Sequence, residues 1–375
     1  MAENFPHVFQ PLAIRGQTLK NRIVFGAHTS NMSDDGMPGD RHFGYYRERA
    51  RGGAAMIVVE PAPAHRTAVL TRGNFPVQDD RVIPHFRRIT DECHGHGTVM
   101  IHQIYHVGGH GDQDNSWEPY WSPSGVPSFH DPWGSHAMSE PEIEELIAAF
   151  IDCAIRDQAS GFDGVDLFWS PLTNKRTDKW GGDLENRLRF TVRIAEGIRT
   201  ACGADFIVGM SVTGAEPYPG GLAIEDKQEI AAWLDGRGLV DYISCGTGSY
   251  LNQFARIIPS FQYGTLQGAD DAAAFKAAVR HAKVTMESRV KTPANAEAVI
   301  AAGKCDLVSI VRGQIADPHL ANKAKAGRPE DIRPCISCNQ LCIGRRMRDY
   351  YIACLVNPSV SRETPWDGDR PAPAE

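Results

Sequence analysis

The chain lacks the features that would send it out of the cell or into a membrane. Its opening residues, MAENFPHVFQPLAIRG, have neither the basic start nor the apolar run of a signal peptide. No apolar stretch approaches the ~18 residues of a membrane span. The best, LIAAFIDCAI, is interrupted by Asp152. Charge is not concentrated either: 39 Lys and Arg stand against 46 Asp and Glu, a net charge of −7, with no basic block for nucleic acid or a membrane surface. There is no GxGxxG turn, which a doubly wound dinucleotide-binding sheet requires, and no C-x2-C-H for haem attachment. No internal repeat is present. A cytoplasmic protein acting on a small molecule is expected, and a homo-oligomer is left open.

Cysteine is present but unevenly placed. Five of the 9 cysteines (Cys93, Cys153, Cys202, Cys245 and Cys305) are scattered singly and read as small buried hydrophobes. The other four fall in PCISCNQLCIGRRMRDYYIAC, spaced Cys335-x2-Cys338-x3-Cys342-x11-Cys354. Cytosolic thiols are kept reduced, so a disulfide framework is not expected. A zinc ribbon pairs two C-x2-C knuckles, whereas three local thiolates and one distant one suit a [4Fe–4S] cubane. Structural zinc stays as the alternative. Arg345, Arg346 and Arg348 are placed to offset the charge of the thiolates and sulfides.

The remaining chain, 375 residues long in all, alternates short apolar runs with longer amphipathic ones. The apolar runs fall at 22–28, 55–62, 98–106, 161–168, 205–213, 240–249, 283–290 and 305–313. A helical stretch follows each. Before the third helix, Ser139 and Glu142 form a capping box with Pro141 in the first turn. Continuously apolar strands are those of a parallel sheet buried on both faces. Eight such units predict an α/β chain folded as a (β/α)8 TIM barrel over residues 1–330. A cysteine-bearing extension follows over 331–363, and 364–375, TPWDGDRPAPAE, reads as a linker to a further domain.

In such a barrel the chemistry sits at the C-terminal ends of the strands. The candidates there are Ala27, His28 and Thr29, Gln103, Ser288 and Arg289, and Val311 and Arg312. The two arginines close strands 7 and 8, where barrels commonly hold a phosphate. Tyr105, Trp117, Trp121 and Trp169 are candidates for the cavity mouth, where aromatic faces attract methylated ammonium groups. His28 and His106 are candidates for holding a carboxylate or carbonyl, although a lone histidine at a strand end is more often a hydrogen-bonded structural residue.

The runs RPCISCNQLC…CLVNPSVSRE, SPLTNKRTDKWGGDLENRLRF, HQIYHVGG and VRGQIADPHLANKAKAGRPEDIRPC resemble the Old Yellow Enzyme superfamily. The likeness is to its iron–sulfur branch of 2,4-dienoyl-CoA reductases, trimethylamine dehydrogenases and N-methylproline demethylases, and extends from about Pro11 to Arg362. It implies FMN in the barrel, a [4Fe–4S] cluster on the four cysteines, and FAD or NAD(P)H only where dinucleotide-binding domains follow. It also implies Thr29 beside the flavin N5/O4 edge, Gln103 at the pyrimidine edge, and Arg289 and Arg312 at the phosphate. An electron-transfer partner or further domain is implied as well. Two departures stand out. Ser211 occupies the place of an arginine near flavin N1/O2, and the substrate-orienting pair between GVDLF and WSPLTNKRTDKWGG has no counterpart. Asp166 matches a structural acid within strand 4. Oxidative demethylation of an N-methylated amine is the expected reaction, with C=C reduction and an inactive electron-transfer or structural barrel as alternatives. No catalytic residue is assigned.

Overall fold

A computed structural model describes residues 4–69, 71, 73–75, 77–110, 118–127, 134–168, 174–216, 220–249 and 253–366. Eight strands form a closed barrel: β1 (Ile23–Phe25), β2 (Met56–Pro63), β3 (Val99–Tyr105), β4 (Gly164–Phe168), β5 (Ile207–Thr213), β6 (Tyr242–Gly246), β7 (Lys283–Met286) and β8 (Leu307–Ser309). Every neighbouring pair is parallel, β8 to β1 included. All seven residues of β3 are buried, as are all but one of β2, because helices cover the outside and side chains fill the inside. The expected (β/α)8 barrel is therefore present. All the strands but β2 are shorter than their apolar runs, β1 and β8 being cut to 3 residues each. The residues after Ser309 turn at once into a helix, Val311–Ala316, so Val311 and Arg312 lie on a helical first turn and not in a loop.

Helices follow the strands at Asp40–Arg51 (α1), Val82–Gly95 (α2), Glu140–Ala159 (α3), Leu184–Cys202 (α4), Ile224–Asp235 (α5), Ala269–Ala278 (α6) and Pro293–Ala301 (α7). α3 begins as expected: Ser139 and Glu142 make the capping box, and the Ser139 N–H donates to the Glu142 carboxylate at 2.7 Å. A hairpin of Leu12–Ile14 and Gln17–Leu19 plugs the N-terminal end of the barrel, where Ile14 and Leu19 join the core of Val24, Met56, Val99 and Leu307. The opposite end is thus left for the site.

Inside the barrel, register sets one row of contacts. Gln103 pairs with Asp166, Asp166 with Gly209 and Gly209 with Tyr242. A Cβ on Gly209 would come within 2.1 Å of the Tyr242 ring, so glycine is what lets that ring lie across the interior.

The cysteine-bearing extension packs against the barrel mouth and α1. The Ile352 N–H donates to Ser30 O at 2.9 Å, and Asn357 Nδ2 donates to Ile315 O at 3.0 Å. Arg49 on α1 pairs with Glu363 at 2.5 Å, both fully buried, and its guanidinium lies 3.8 Å from the centre of the Tyr45 ring. Thr364 Oγ1 donates to Asp40 O, so the stretch expected as a linker starts within the packed structure; 367–375 lies outside the described residues. Removing one partner strands the other's charge in the interior. Arg49→Ala is therefore expected to cost about 3–5 kcal/mol, measured by denaturant unfolding.

Candidate functional site

A cavity of about 550 Å³ opens at the C-terminal ends of the strands. It is lined by Ala27, His28 and Thr29 after β1, by Gln103 on β3, by Ser288 and Arg289 after β7, and by Val311 and Arg312 after β8. All eight candidates from the sequence share this one space.

The end formed by Arg289 is built for an anion. Ser288 and Arg289 are consecutive residues in the left-handed region, with φ of 66° and 64°, a conformation that costs energy for residues with side chains. Arg289 is buried, and among the described residues no carboxylate pairs with it and its Nε has no hydrogen-bond partner. Among the described residues its side chain makes one long bond, from Nη1 to Gly264 O at 3.4 Å. A buried guanidinium without an anion is costly, and an anionic ligand removes that cost. Arg312 lies nearby, donating to Asn339 Oδ1 at 2.6 Å, and burial followed by the Arg289 charge pushes its pKa down against the raising effect of the sulfurs.

The floor is polar. Gln103 Nε2 donates to Ser211 Oγ at 3.1 Å, and Ser211 Oγ donates to Asp166 Oδ2 at 2.8 Å. Burial lifts the Asp166 carboxyl to about 7, with Glu287 adding to the rise. Asp166 is thus more than the structural acid read from the sequence; it touches the cavity through Ser211. Behind β1, Glu60 accepts from the Ser30 N–H at 2.8 Å and pairs with His42 at 2.9 Å. Burial alone would raise its pKa, but the His42 and Ser30 bonds hold it below its usual value.

The two candidate histidines are committed to the protein. His28 bonds Gly26 O at 2.8 Å and the Tyr45 hydroxyl at 2.7 Å. His106 accepts the Gly108 N–H at Nδ1 (3.0 Å) and bonds Thr67 Oγ1 at Nε2 (3.0 Å). Burial and then the His65 charge push His106 down to about 3, so it is neutral at ordinary pH. Neither ring keeps a nitrogen free for a substrate carbonyl or carboxylate; both are hydrogen-bonded within the protein, the commoner role of a histidine at a strand end.

Tyr105 and Trp121 line the cavity, while Trp117 and Trp169 lie outside the described residues, as does most of the stretch after β4 where the substrate-orienting pair was found wanting. The Tyr105 hydroxyl accepts from Asn74 Nδ2 at 2.9 Å. Trp121 packs on His65, ring centres 4.8 Å apart, with Arg66 over it at 5.6 Å. Its indole already has a cation of its own. Sequence reasoning missed Asn174, Arg176, Trp180 and Lys291 as lining residues. The density of polar residues in SPLTNKRTDKWGG was the available signal for the first three.

A second, smaller pocket adjoins the first and is lined by Cys335, Cys338, Cys342 and Cys354. Arg312, Ile315 and Cys342 line both, so one layer of side chains separates the two. The Ser337 N–H donates to Cys335 Sγ at 3.4 Å. The cation among these sulfurs is Arg312, whose charge interacts with Cys335, Cys342 and Cys338. Of the three arginines expected there, Arg345 is instead bonded to Tyr351 O and stacked on the Tyr351 ring. Arg346 faces the large cavity. Four thiols around one pocket, with a half-buried guanidinium and an N–H aimed at sulfur, fit an anionic iron–sulfur group by their donor chemistry. Among the described residues, though, no three His, Cys, Asp or Glu side chains converge as a single bound ion would demand.

The family profile described as NADH:flavin oxidoreductase / NADH oxidase matches residues 7–331. The chain belongs to that family. It is 33% identical to the N,N-dimethylglycine/sarcosine dehydrogenase of Chromohalobacter salexigens, over 96% of this chain and 54% of that protein. It is 32% identical to the probable N-methylproline demethylase of Rhizobium meliloti, over 95% of this chain and 54% of that protein. Among solved structures it resembles a 2-naphthoyl-CoA reductase complexed with 2-naphthoyl-CoA, with a TM-score of 0.90 and 30% identity over 96% of this chain and 58% of the other. The chain thus spans about half the length of the curated relatives it matches.

Thiol exposure provides a check on the two classes of cysteine. Burial pushes Cys93 and Cys153 above the ordinary thiol range and lifts Cys305 to about 12 and Cys202 to about 11. Burial likewise raises Cys245. Burial also raises Cys342 and Cys354, so in native, metal-free protein at neutral pH, alkylation followed by mass spectrometry should mark Cys335 and Cys338 first, Cys342 and Cys354 next, and the other five only on unfolding.

Proposed function

We propose that this family member is an FMN- and [4Fe–4S]-dependent oxidoreductase that removes a methyl group from an N-methylated amine or amino acid. The observation that carries the cofactor half is the buried Arg289, without a carboxylate partner and set on a left-handed turn at one end of a cavity whose floor is Gln103 and Ser211. Arg289 and Arg312 would hold the phosphate. Gln103, with a donor and an acceptor on one carboxamide, would read the pyrimidine edge, and Ala27, His28 and Thr29 would line the ring. Cys335, Cys338, Cys342 and Cys354 would hold the cluster. When bound, FMN supplies a two-electron acceptor for a hydride, and the cluster takes electrons one at a time.

The substrate half rests on the two committed histidines. Reducing an activated C=C needs donors on the substrate carbonyl to stabilise an enolate. Here His28 and His106 have no N–H left for that task. Losing hydride from a carbon beside an amine nitrogen needs no such donor, because the nitrogen lone pair stabilises the resulting iminium. Water then adds to the iminium carbon, and formaldehyde leaves with the demethylated amine. The dimethylglycine/sarcosine and N-methylproline names of the relatives point the same way. C=C reduction is the second reading, favoured by the structural likeness to 2-naphthoyl-CoA reductase. A further domain or separate carrier would receive the electrons, and FAD or NAD(P)H would belong to that partner.

Anaerobic mixing with sarcosine, dimethylglycine or N-methylproline should bleach the flavin band and release one formaldehyde per flavin reduced. Reoxidation of reduced flavin by an enoyl thioester, with no bleaching by any of the three, would select the second reading. Arg289→Ala should weaken FMN binding about 10- to 100-fold, since a charge-assisted bond contributes roughly 1.5–3 kcal/mol. Flavin fluorescence on titration of apoprotein measures this.

A further inference from the structure

The floor of the cavity holds a buried carboxyl, Asp166, and a half-buried one, Glu287, and among the described residues no cation is bonded to either. Asp166 (β4) is 2% exposed, and its bonded neighbours are Gln103 on β3 and Ser211 on β5. Tyr242 on β6 and Glu287 after β7 are the further titratable groups that act on it. Glu287 is bonded to Ser244 Oγ at 2.8 Å and lines the cavity. Among the described residues, no Lys, Arg or His is hydrogen-bonded to either carboxyl. Asp166 Oδ1, Thr285 Oγ1 and Ser309 Oγ are buried without a hydrogen-bond partner; the Tyr242 hydroxyl interacts with Asp166 and, like Ser211 and Gln103, works against the effect of burial without cancelling it. An ionised carboxylate with a free lone pair in such surroundings is expensive, whereas the neutral acid is not.

Ser211 has one hydrogen to give. While Asp166 is ionised, that hydrogen is held on Oδ2, and the Gln103 N–H is drawn toward the same pair, 3.1 Å from Ser211 Oγ and 3.3 Å from Asp166 Oδ2. When Asp166 is protonated, its own O–H can donate to Ser211 Oγ. The serine hydrogen is then free to turn into the cavity.

We propose that Asp166 is a positioning residue that acts through Ser211: neutral, it releases the Ser211 hydroxyl to donate to negative charge on a ligand at the cavity floor, and ionised, it withdraws that donor and repels the same charge. This rests on the reading of the cavity as an FMN site. A hydride brings two electrons and one proton, so a neutral ring that accepts it gains one negative charge. Asp166 balances that charge by taking one proton from solvent. The chain thereby uses a carboxyl that changes charge where a fixed cation would serve another protein. Burial and Glu287 set the carboxyl at about 7, so the exchange falls in the ordinary working range.

The test is the midpoint potential of bound FMN measured from pH 6 to 8 in wild type and in Asp166→Asn, on holoprotein with its cluster. Asn keeps the size and is always neutral, and its amide always donates to Ser211. Above about pH 7, where the carboxyl is ionised before reduction, wild type should fall by up to an additional factor of ten in the reduction equilibrium per pH unit, about 30 mV for a two-electron couple. In Asp166→Asn this extra slope should vanish, leaving the potential at pH 8 above that of wild type. Infrared difference titration of wild-type apoprotein reads the buried carboxyl without any flavin and does not require the variant to fold. Equal slopes in the two proteins, or an Asp166 carboxyl already ionised at pH 6, would overturn the proposal. Failure to take up FMN would sink the cofactor reading and this proposal together, whereas normal uptake with unchanged slopes would sink the proposal alone.

Discussion

A parallel sheet closed on itself has no edge to offer. Every strand of this barrel is hydrogen-bonded on both sides, its outer face is covered by helices, and its lower end is stoppered by the Leu12–Leu19 hairpin. Backbone polar groups without a partner in the sheet therefore collect at the ends where the strands stop. The short strands sharpen this. β1 ends at Phe25 and β8 at Ser309, so the segments after them are free to turn across the mouth and bring Thr29 and Arg312 into one cavity.

Closure also dictates what the interior contains. Side chains that point inward from eight converging strands must fill a fixed space, and here much of that space is polar. Gly209 yields room to the Tyr242 ring, and the row Gln103–Asp166–Gly209–Tyr242 crosses four adjacent strands at one level. Such groups lower stability unless they are satisfied, and several are not. Their persistence beneath a cavity is the kind of local cost found where structure serves a ligand.

The architecture was legible in the sequence because its signal is local. An apolar run such as MIVVE or TVMIHQIY states its burial on both faces without reference to distant residues, and the Ser139–Glu142 cap marks a helix start within four positions. The arginines after strands 7 and 8 were legible because their distance from a strand end fixes where they emerge. The Asp166–Ser211 contact was not, since it joins residues 45 positions apart and depends on barrel register, which no single strand reveals. The same holds for Arg312 among the sulfurs. Proximity in sequence favoured Arg345, but Arg345 is turned onto Tyr351 by its own tight helical turn. The histidines were legible only as a class: a strand-end position says that such a ring is usually bonded within the protein, and nothing about Thr67 or Tyr45 being the partners.

The Arg49–Glu363 pair closes one end of the cysteine segment. The other end is closed where Asp317, itself fully buried, accepts the Arg333 N–H at 2.8 Å and the Lys323 ammonium at 2.6 Å. The chain between is a loop whose ends are already fixed to the barrel. Most of the entropy that a free chain would surrender in gathering four distant sulfurs has been given up by folding itself. Whatever those sulfurs hold is met by a segment with little disorder left to lose.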